Sequence, residues 1–177
     1  MTAVKAPAGD GDETTVADFR SRTNQARHLL HVRRGPWAFV NVHAESGGRA
    51  QERDARATQF QQMSRQHERD PGRLQVLAGD FNIREGEQQC FEQEGWVDAW
   101  SLAGSVAAVD QWTWRRGSNA ARYDRVYTHE NRVLSASCQR MERVEGVWGE
   151  FTDHVPLYAR LQLIARGAEV SSPGHVG

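Results

Sequence analysis

Short apolar runs separated by polar stretches and turn residues predict strands for most of this chain and a single long helix. Arg27 to Arg33 and Trp37 to Val42 are two apolar-rich runs split by Arg34-Gly35-Pro36, the pattern of a hairpin turning at Gly-Pro. Ser46-Gly47-Gly48 then opens a polar stretch, Arg49 to Glu68, rich in helix formers. Its apolar residues Ala50, Ala57, Phe60 and Met63 recur at spacings of three and seven and predict the buried face of an amphipathic helix that stops at Asp70-Pro71-Gly72. Leu74 to Ala78 reads as a short buried strand, and Tyr123 to Thr128 as another. In the last predicted strand, Val155, Leu157, Ala159, Leu161 and Leu163 alternate along one face. Residues 1–18, small, polar and acidic, are expected to be a disordered tail, and the stretch from Gly167, with Pro173 and Gly174, a loose one. Strands interleaved with one good helix and long polar connections predict an α/β sandwich whose strand-end loops carry the chemistry.

Size and composition narrow this picture. The 177 residues suit one domain with its own core, with 38% apolar and 25% charged residues. No apolar run approaches the roughly 20 residues of a membrane span. The first residues carry acids (Asp10, Asp12, Glu13) and no apolar stretch of secretory type, so the expected location is intracellular, nucleus or cytoplasm. Cys90 and Cys138 are too few for a disulfide framework. A net charge of −1 excludes coating of nucleic acid by bulk charge, and the near-total use of arginine (Lys5 is the only lysine) reads first as compositional bias.

Residues with chemical capacity sit at the ends of the predicted strands. His43 closes the run Val40 to Val42, and Asp80 and Asn82 follow Leu77-Ala78-Gly79. In extended backbone, residues two apart share a side, so Asp80 and Asn82 are expected to converge. Asp124 lies within Arg122 to Tyr127, and Asp153-His154 precedes the last strand. Taken singly, each has an ordinary structural explanation: a polar strand end, a turn, a local salt bridge to Arg125. Together, carboxylate, amide and imidazole without cysteine suit a hard cation such as Mg²⁺ that keeps its waters. They equally suit phosphoryl transfer, with the histidines stabilising charge on non-bridging oxygens.

The order VNVHAES, a polar helix, VLAGDFNIRE, WTW, RYDRVY and FTDHVPL resembles the endonuclease/exonuclease/phosphatase superfamily, and within it the tyrosyl-DNA phosphodiesterases. Val42 to Ser46 is similar to that family's S-H-L-E-S, Glu52-Arg53 to Gln59-Phe60 to its E-R…Q-L helix, and Gly79 to Glu85 to its G-D-T-N-L-R-D. Val97 to Trp100 resembles V-D-V-W, Trp112 to Trp114 Y-T-W, Arg122 to Val126 R-F-D-R-I, and Thr152 to Val155 S-D-H-W. The match runs over residues 19–164, with 1–18 and 165–177 outside it. It implies part of a four-layered α/β sandwich, specifically the C-terminal half of the domain. The family's leading strand with a metal-site Asn, and its L-Q-E segment with a metal-site Glu, have no counterpart in the sequence.

The resemblance implies Mg²⁺- or Mn²⁺-dependent hydrolysis at DNA 5′ ends carrying phosphotyrosine, a DNA-repair reaction. The implied metal ligands are Asp80, Asn82 and Asp153. Asp80 would orient or deprotonate water with Asn82 holding geometry, His154 would bind a non-bridging oxygen with Asp124 fixing its tautomer, and His43 would assist the phosphate or leaving group. Arg84 is placed for a DNA phosphate, Trp114 for stacking on a base or sugar as an alternative to core packing, and Arg115 with Arg116 for a basic rim. Abasic DNA, RNA and phospholipid are alternative substrates of the same catalytic set. A non-catalytic fragment that binds DNA or a partner chain, the partner supplying the missing half-domain, is the alternative of another class.

Overall fold

A computed structural model of the chain describes residues 13–18, 27–65, 68, 70, 72–103, 111–129, 133–140 and 152–163. The expected tail from Gly167, the residues 1–12 and the match between 19 and 26 lie outside the described residues. The centre is a six-stranded mixed sheet in the order β1-β2-β3-β4-β8-β5. Its strands are β1 (Glu13–Asp18), β2 (His28–Arg34), β3 (Trp37–His43), β4 (Leu74–Asp80), β5 (Trp96–Asp98) and β8 (Asp124–His129). Two small antiparallel ribbons accompany it. One joins β6 (Trp114–Arg116) to β7 (Asn119–Ala121), the other β9 (Val133–Arg140) to β10 (Leu157–Leu163). The helices are α1 (Ala50–Ser64), α2 (Gln89–Gln93) and α3 (Ala99–Leu102). No helix among the described residues is long and apolar enough to cross a membrane.

The predicted hairpin forms as β2 and β3, antiparallel, with Gly35 at φ +51° in the turn, a conformation glycine adopts without steric cost. β3 and β4 are parallel, which requires a crossover, and α1 supplies it. Leu29, Val40, Val42, Leu77 and Tyr127 build the core of the sheet, and Phe60 and Met63 of α1 close over it. Phe81, Phe91, Phe60 and Tyr127 extend this core as an aromatic cluster, with Phe91 stacked on Tyr127 at 4.7 Å between ring centres. Each such side chain removed from water contributes about 1.5–3 kcal/mol.

Three expectations are corrected. Glu13–Asp18, assigned to the polar tail, forms the edge strand β1 and pairs with β2 along its whole length. An edge strand needs only backbone partners, so its side chains from 13 to 16 remain exposed and leave no apolar signature. The Glu13–Arg33 ion pair at 2.5 Å adds a tie between the two strands. On α1, Ala50 and Ala57 are exposed; the buried face is Ala55, Arg56, Gln59, Phe60, Met63 and Ser64. Three polar residues, Arg56, Gln59 and Ser64, thus share this face, and Arg56 and Gln59 have the partners described below. The last strand begins at Leu157 rather than Val155, which is buried just before it.

Candidate functional site

The strand register creates the site. His43 ends β3 opposite Asp80, which ends β4, and Asp80 stands opposite Asp124, which begins β8. One histidine and two carboxylates therefore lie in a single row across three adjacent strands. The close β3–β4 approach beside this row depends on Gly79. Its φ is +136°, and a Cβ there would lie 2.1 Å from the Val42 carbonyl oxygen.

Past Asp80 the chain leaves the strand. Asn82 adopts φ +47°, and its backbone N–H donates to Asp80 Oδ1 at 2.8 Å. Its side-chain amide donates to Asp80 Oδ2 at 3.1 Å and to the Ala44 carbonyl at 3.2 Å. Asp80 and Asn82 do meet, with Asn82 in a left-handed conformation. Asn is among the few residues that tolerate this conformation.

His154 enters from the segment before β10, held by a bridge to Trp114. Its Nδ1 lies 2.7 Å from Asp124 Oδ2, and its Nε2 faces Asp80 Oδ2 at 3.9 Å. The hydrogen bond to Asp124 raises the His154 pKa above its ordinary value against the opposing effect of burial. His43 behaves oppositely. Burial lowers its pKa, with the Arg27 charge adding to the effect. Arg27 Nη1 lies 2.6 Å from His43 Nε2, which makes that nitrogen the acceptor, while Arg27 Nη2 donates to Ser46 Oγ at 3.2 Å. The two imidazoles flank Asp80 with opposite shifts, His154 upward and His43 downward. Asp80 itself is raised, first by burial and then by the facing Asp124, while the Asn82 N–H opposes the shift.

The remaining expected residues distribute unevenly. Asp153 is more than half exposed and accepts a 2.6 Å hydrogen bond from the Trp114 indole. Trp114 is half-buried and tilts against Tyr123 at 5.4 Å. The Arg84 guanidinium donates to the Tyr123 hydroxyl and lies 4.4 Å over its ring. Arg115 sits on the exposed β6–β7 ribbon, 5.6 Å over Trp112, and is joined to the site only through its backbone N–H to the Asp153 carbonyl.

Four residues to which the sequence assigned no role, Thr113, Arg56, Glu87 and Gln59, hold the geometry. Thr113, fully buried, accepts from the N–H groups of Tyr123 and Asp124 at 3.1 and 3.0 Å through its hydroxyl. Its carbonyl takes the Val155 N–H at 2.6 Å, so one residue aligns both members of the Asp124–His154 pair. Arg56, fully buried on α1, makes a two-pronged pair with Glu87 at 3.0 and 2.8 Å and donates to the carbonyls of Glu45 and Gly47. Glu87 also accepts from the Arg84 N–H, and Gln59 accepts from the Glu45 N–H. The loops after β3 and β4 are thereby clamped to one helix. A threonine between two tryptophans and an arginine four residues before Phe60 were the available signals.

For a hard divalent cation, the oxygen donors expected from the sequence are the Asp80 and Asp153 carboxylates and the Asn82 amide; the neighbouring Asp124 carboxylate is engaged by His154. Among the described residues no three His, Cys, Asp or Glu side chains form a group able to hold a metal ion. Asp153 is tied to Trp114, and the Asn82 amide is engaged by Asp80 and Ala44. The donor set in the described residues does not complete such a site.

No family model and no curated protein matches the sequence. Solved structures do. A truncated tyrosyl-DNA phosphodiesterase 2 (TDP2) from Caenorhabditis elegans matches at 22% identity and a TM-score of 0.61 over 85% of this chain. TDP2 from D. rerio complexed with single-strand DNA product matches at 18% and 0.62 over 83%, and an endonuclease/exonuclease/phosphatase family protein from Bacteroides thetaiotaomicron at 15% and 0.63 over 85%. This chain spans 65%, 66% and 64% of those three chains and 50% of a longer C. elegans TDP2 structure. The likeness shows the fold: a mixed sheet with helices, of the α/β sandwich type that these proteins share.

Proposed function

We propose that this chain carries the water-activating and phosphate-binding part of a phosphodiesterase that releases tyrosine from DNA 5′ ends. The observation that carries the reading is the row His43–Asp80–Asp124 with His154 closing over it, its Nδ1 on Asp124 and its Nε2 turned to Asp80. That arrangement offers a carboxylate base and an imidazolium donor to one tetrahedral group between them. The fold likeness to TDP2, including a structure holding a single-strand DNA product, favours a nucleic-acid phosphodiester over a phospholipid.

In this reading Asp80 takes a proton from, or aligns, the attacking water. Its raised pKa makes it a better base than an exposed carboxylate, and Asn82 fixes its orientation. His154, kept protonated by Asp124, donates Nε2–H to a non-bridging oxygen as negative charge builds. Asp124 and Thr113 are positioning residues, setting the ring and its tautomer. His43 keeps its Nε2 as an acceptor for Arg27, so positive charge on that side comes from the guanidinium. A phenol leaves with a pKa of about 10 and needs little help from an acid. Arg84 and Trp114 serve the DNA, through a phosphate and a base or sugar. Asp80, Asn82 and Asp153 would contribute oxygen ligands to Mg²⁺ or Mn²⁺, which would supply Lewis-acid charge there, if a complementing segment or partner chain added the further ligands.

The test is single-turnover cleavage of a 5′-phosphotyrosyl oligonucleotide by this chain complemented with the leading half of a related domain. Tyrosine release lost on Asp80→Ala supports the proposal. Cleavage of an abasic duplex in its place reassigns the substrate, and DNA binding without any cleavage sinks the enzymatic reading.

A further inference from the structure

One side of the central sheet is closed by α1; the other is apolar and partly open. The two sides alternate along β3. Ala38, Val40 and Val42 are buried on the α1 side, while Phe39 on the opposite side is 41% exposed and stacks on Trp37 at 5.5 Å. Strand register carries the open side across the sheet. Thr128 of β8, Val76 of β4, Phe39 of β3, Val32 of β2 and Thr14 of β1 stand in one row. Thr128 and Val76 are buried, Val32 is half-buried and Thr14 is exposed. In the next row Val16, 67% exposed, lies opposite the half-buried Leu30. Cover thins from β8 towards β1 although apolar side chains continue to the edge. His43 and Asp80 follow Phe39 and Val76 at even spacing along β3 and β4, so the catalytic row faces the same side.

At the β8 end a second layer begins. The segment leading into β10 lays His154 over Asp124 and Asp80, and β10 approaches β8. In the β9–β10 ribbon Cys138 stands opposite Ala159 and Ala136 opposite Leu161, which gives the ribbon one apolar side. Two strands alone make a marginal sheet. Strands that are apolar on both sides belong where both faces are covered, and a contiguous exposed apolar patch marks an interaction surface. Packed sheets lie about 10 Å apart, so a layer continuing the ribbon fills the step between it and β1. This chain spans 65% of the truncated C. elegans TDP2, and about a third of that chain therefore has no counterpart here.

We propose that the open face, centred on Trp37 and Phe39, docks a separate β-layer with apolar inward side chains that continues the β9–β10 ribbon, as the unmatched third of the TDP2 chain would. The inference rests on the proposed function, since it names the surface through which a complementing segment reaches the catalytic row.

The experiment mixes the full chain with a separately produced segment of C. elegans TDP2, the part outside the match, and measures association by sedimentation velocity. Wild type is compared with Phe39→Arg and with Ala57→Arg, which places the same charge on the exposed side of α1 across the sheet. The expected results are a one-to-one complex, weakened about tenfold or more by Phe39→Arg, as for a central aromatic anchor, and unchanged by Ala57→Arg. Hydroxyl-radical oxidation of Trp37 and Phe39 should fall in the complex. Phe39→Arg alone should melt with wild type, because the ring is already largely in water. The proposal is overturned by the absence of a complex, by equal weakening in both variants or by unprotected Trp37 and Phe39. A Phe39-dependent dimer of this chain that excludes the segment overturns it too, because a second copy is then the occupant, as does a lowered melting point of Phe39→Arg, because the chain itself then closes the face. A Phe39-dependent complex that releases no tyrosine removes the phosphodiesterase reading and leaves this surface standing. Tyrosine release indifferent to Phe39→Arg does the reverse.

Discussion

Asp124 Oδ2 lies 2.7 Å from His154 Nδ1 although the two residues are 30 positions apart in the chain. The carboxylate raises the imidazole pKa. A group whose folded pKa is raised stabilises the fold fully below its unfolded value, near 6.5, and loses that contribution as pH rises through the folded value. NMR titration should place His154 above 6.5 and His43 below it. Asp124→Asn should lower the His154 value while leaving His43 below the ordinary range. An unchanged His154 titration in that variant would show that the carboxylate does not control the ring.

In the complemented enzyme, Asp80→Ala and His154→Ala should each reduce single-turnover tyrosine release by about 10²–10⁴-fold. Thr113→Val should fall between them and wild type, because it removes the acceptor for two N–H groups but no group that touches substrate. A variant of Asp80 or His154 that turns over normally leaves the mechanism without that residue.

The Arg56–Glu87 pair yields a stability prediction. Glu87→Gln leaves the fully buried Arg56 charge without its partner and should cost about 3–5 kcal/mol by denaturant unfolding. Burial pushes the Glu87 pKa up, but the Arg56 hydrogen bonds outweigh it and the net shift is downward. Its contribution is therefore present above the unfolded value, near 4.5, and is lost as pH falls through the depressed folded value. Acid melting curves of wild type and Glu87→Gln should converge at low pH; parallel curves would refute the assignment.

Gly79→Ala should destabilise by about 2–5 kcal/mol, combining backbone strain at φ +136° with a Cβ driven into the Val42 carbonyl. Thermal unfolding measures it. Gly35→Ala, which meets no atom within 4 Å at φ +51°, should cost less, and the reverse order would place the strain elsewhere.

Purified residues 1–177 should show no appreciable Mg²⁺-dependent tyrosine release, since no three His, Cys, Asp or Glu side chains among the described residues form a group that could hold a metal ion. Adding the leading half of a related domain, in cis or in trans, should restore it. Robust cleavage by the isolated chain would show that another residue completes the metal's ligands.

What could be read from the sequence followed side-chain burial. The β2–β3 hairpin and β4 were legible because their apolar runs are buried and bounded by Gly and Pro. β1 was not, since Glu13 to Val16 face outward and only the backbone is paired. The face of α1 was misread where Arg56 and Gln59 replace apolar residues, a substitution that makes sense only once Glu87 and Glu45 are in place. His43, Asp80, Asp124 and His154 could be named as candidates, yet their placing in a row needs strand register, which no single segment encodes. Asp80 and Asn82 converge as expected, but the left-handed conformation of Asn82 was not legible in the sequence.

The parallel β3–β4 pairing has a kinetic consequence. His43 and Asp80 meet only after 36 intervening residues have closed a loop through α1, and Asp124 and His154 join from still further along the chain. Non-local ladders of this kind are slow to form, because loop-closure entropy is lost before the pairing compensates it. No partly folded form short of the β3–β4–β8 ladder can display the assembled site. A ligand that recognises the four residues together therefore reports completion of folding rather than collapse, and its binding rate after dilution from denaturant should track the slowest folding phase.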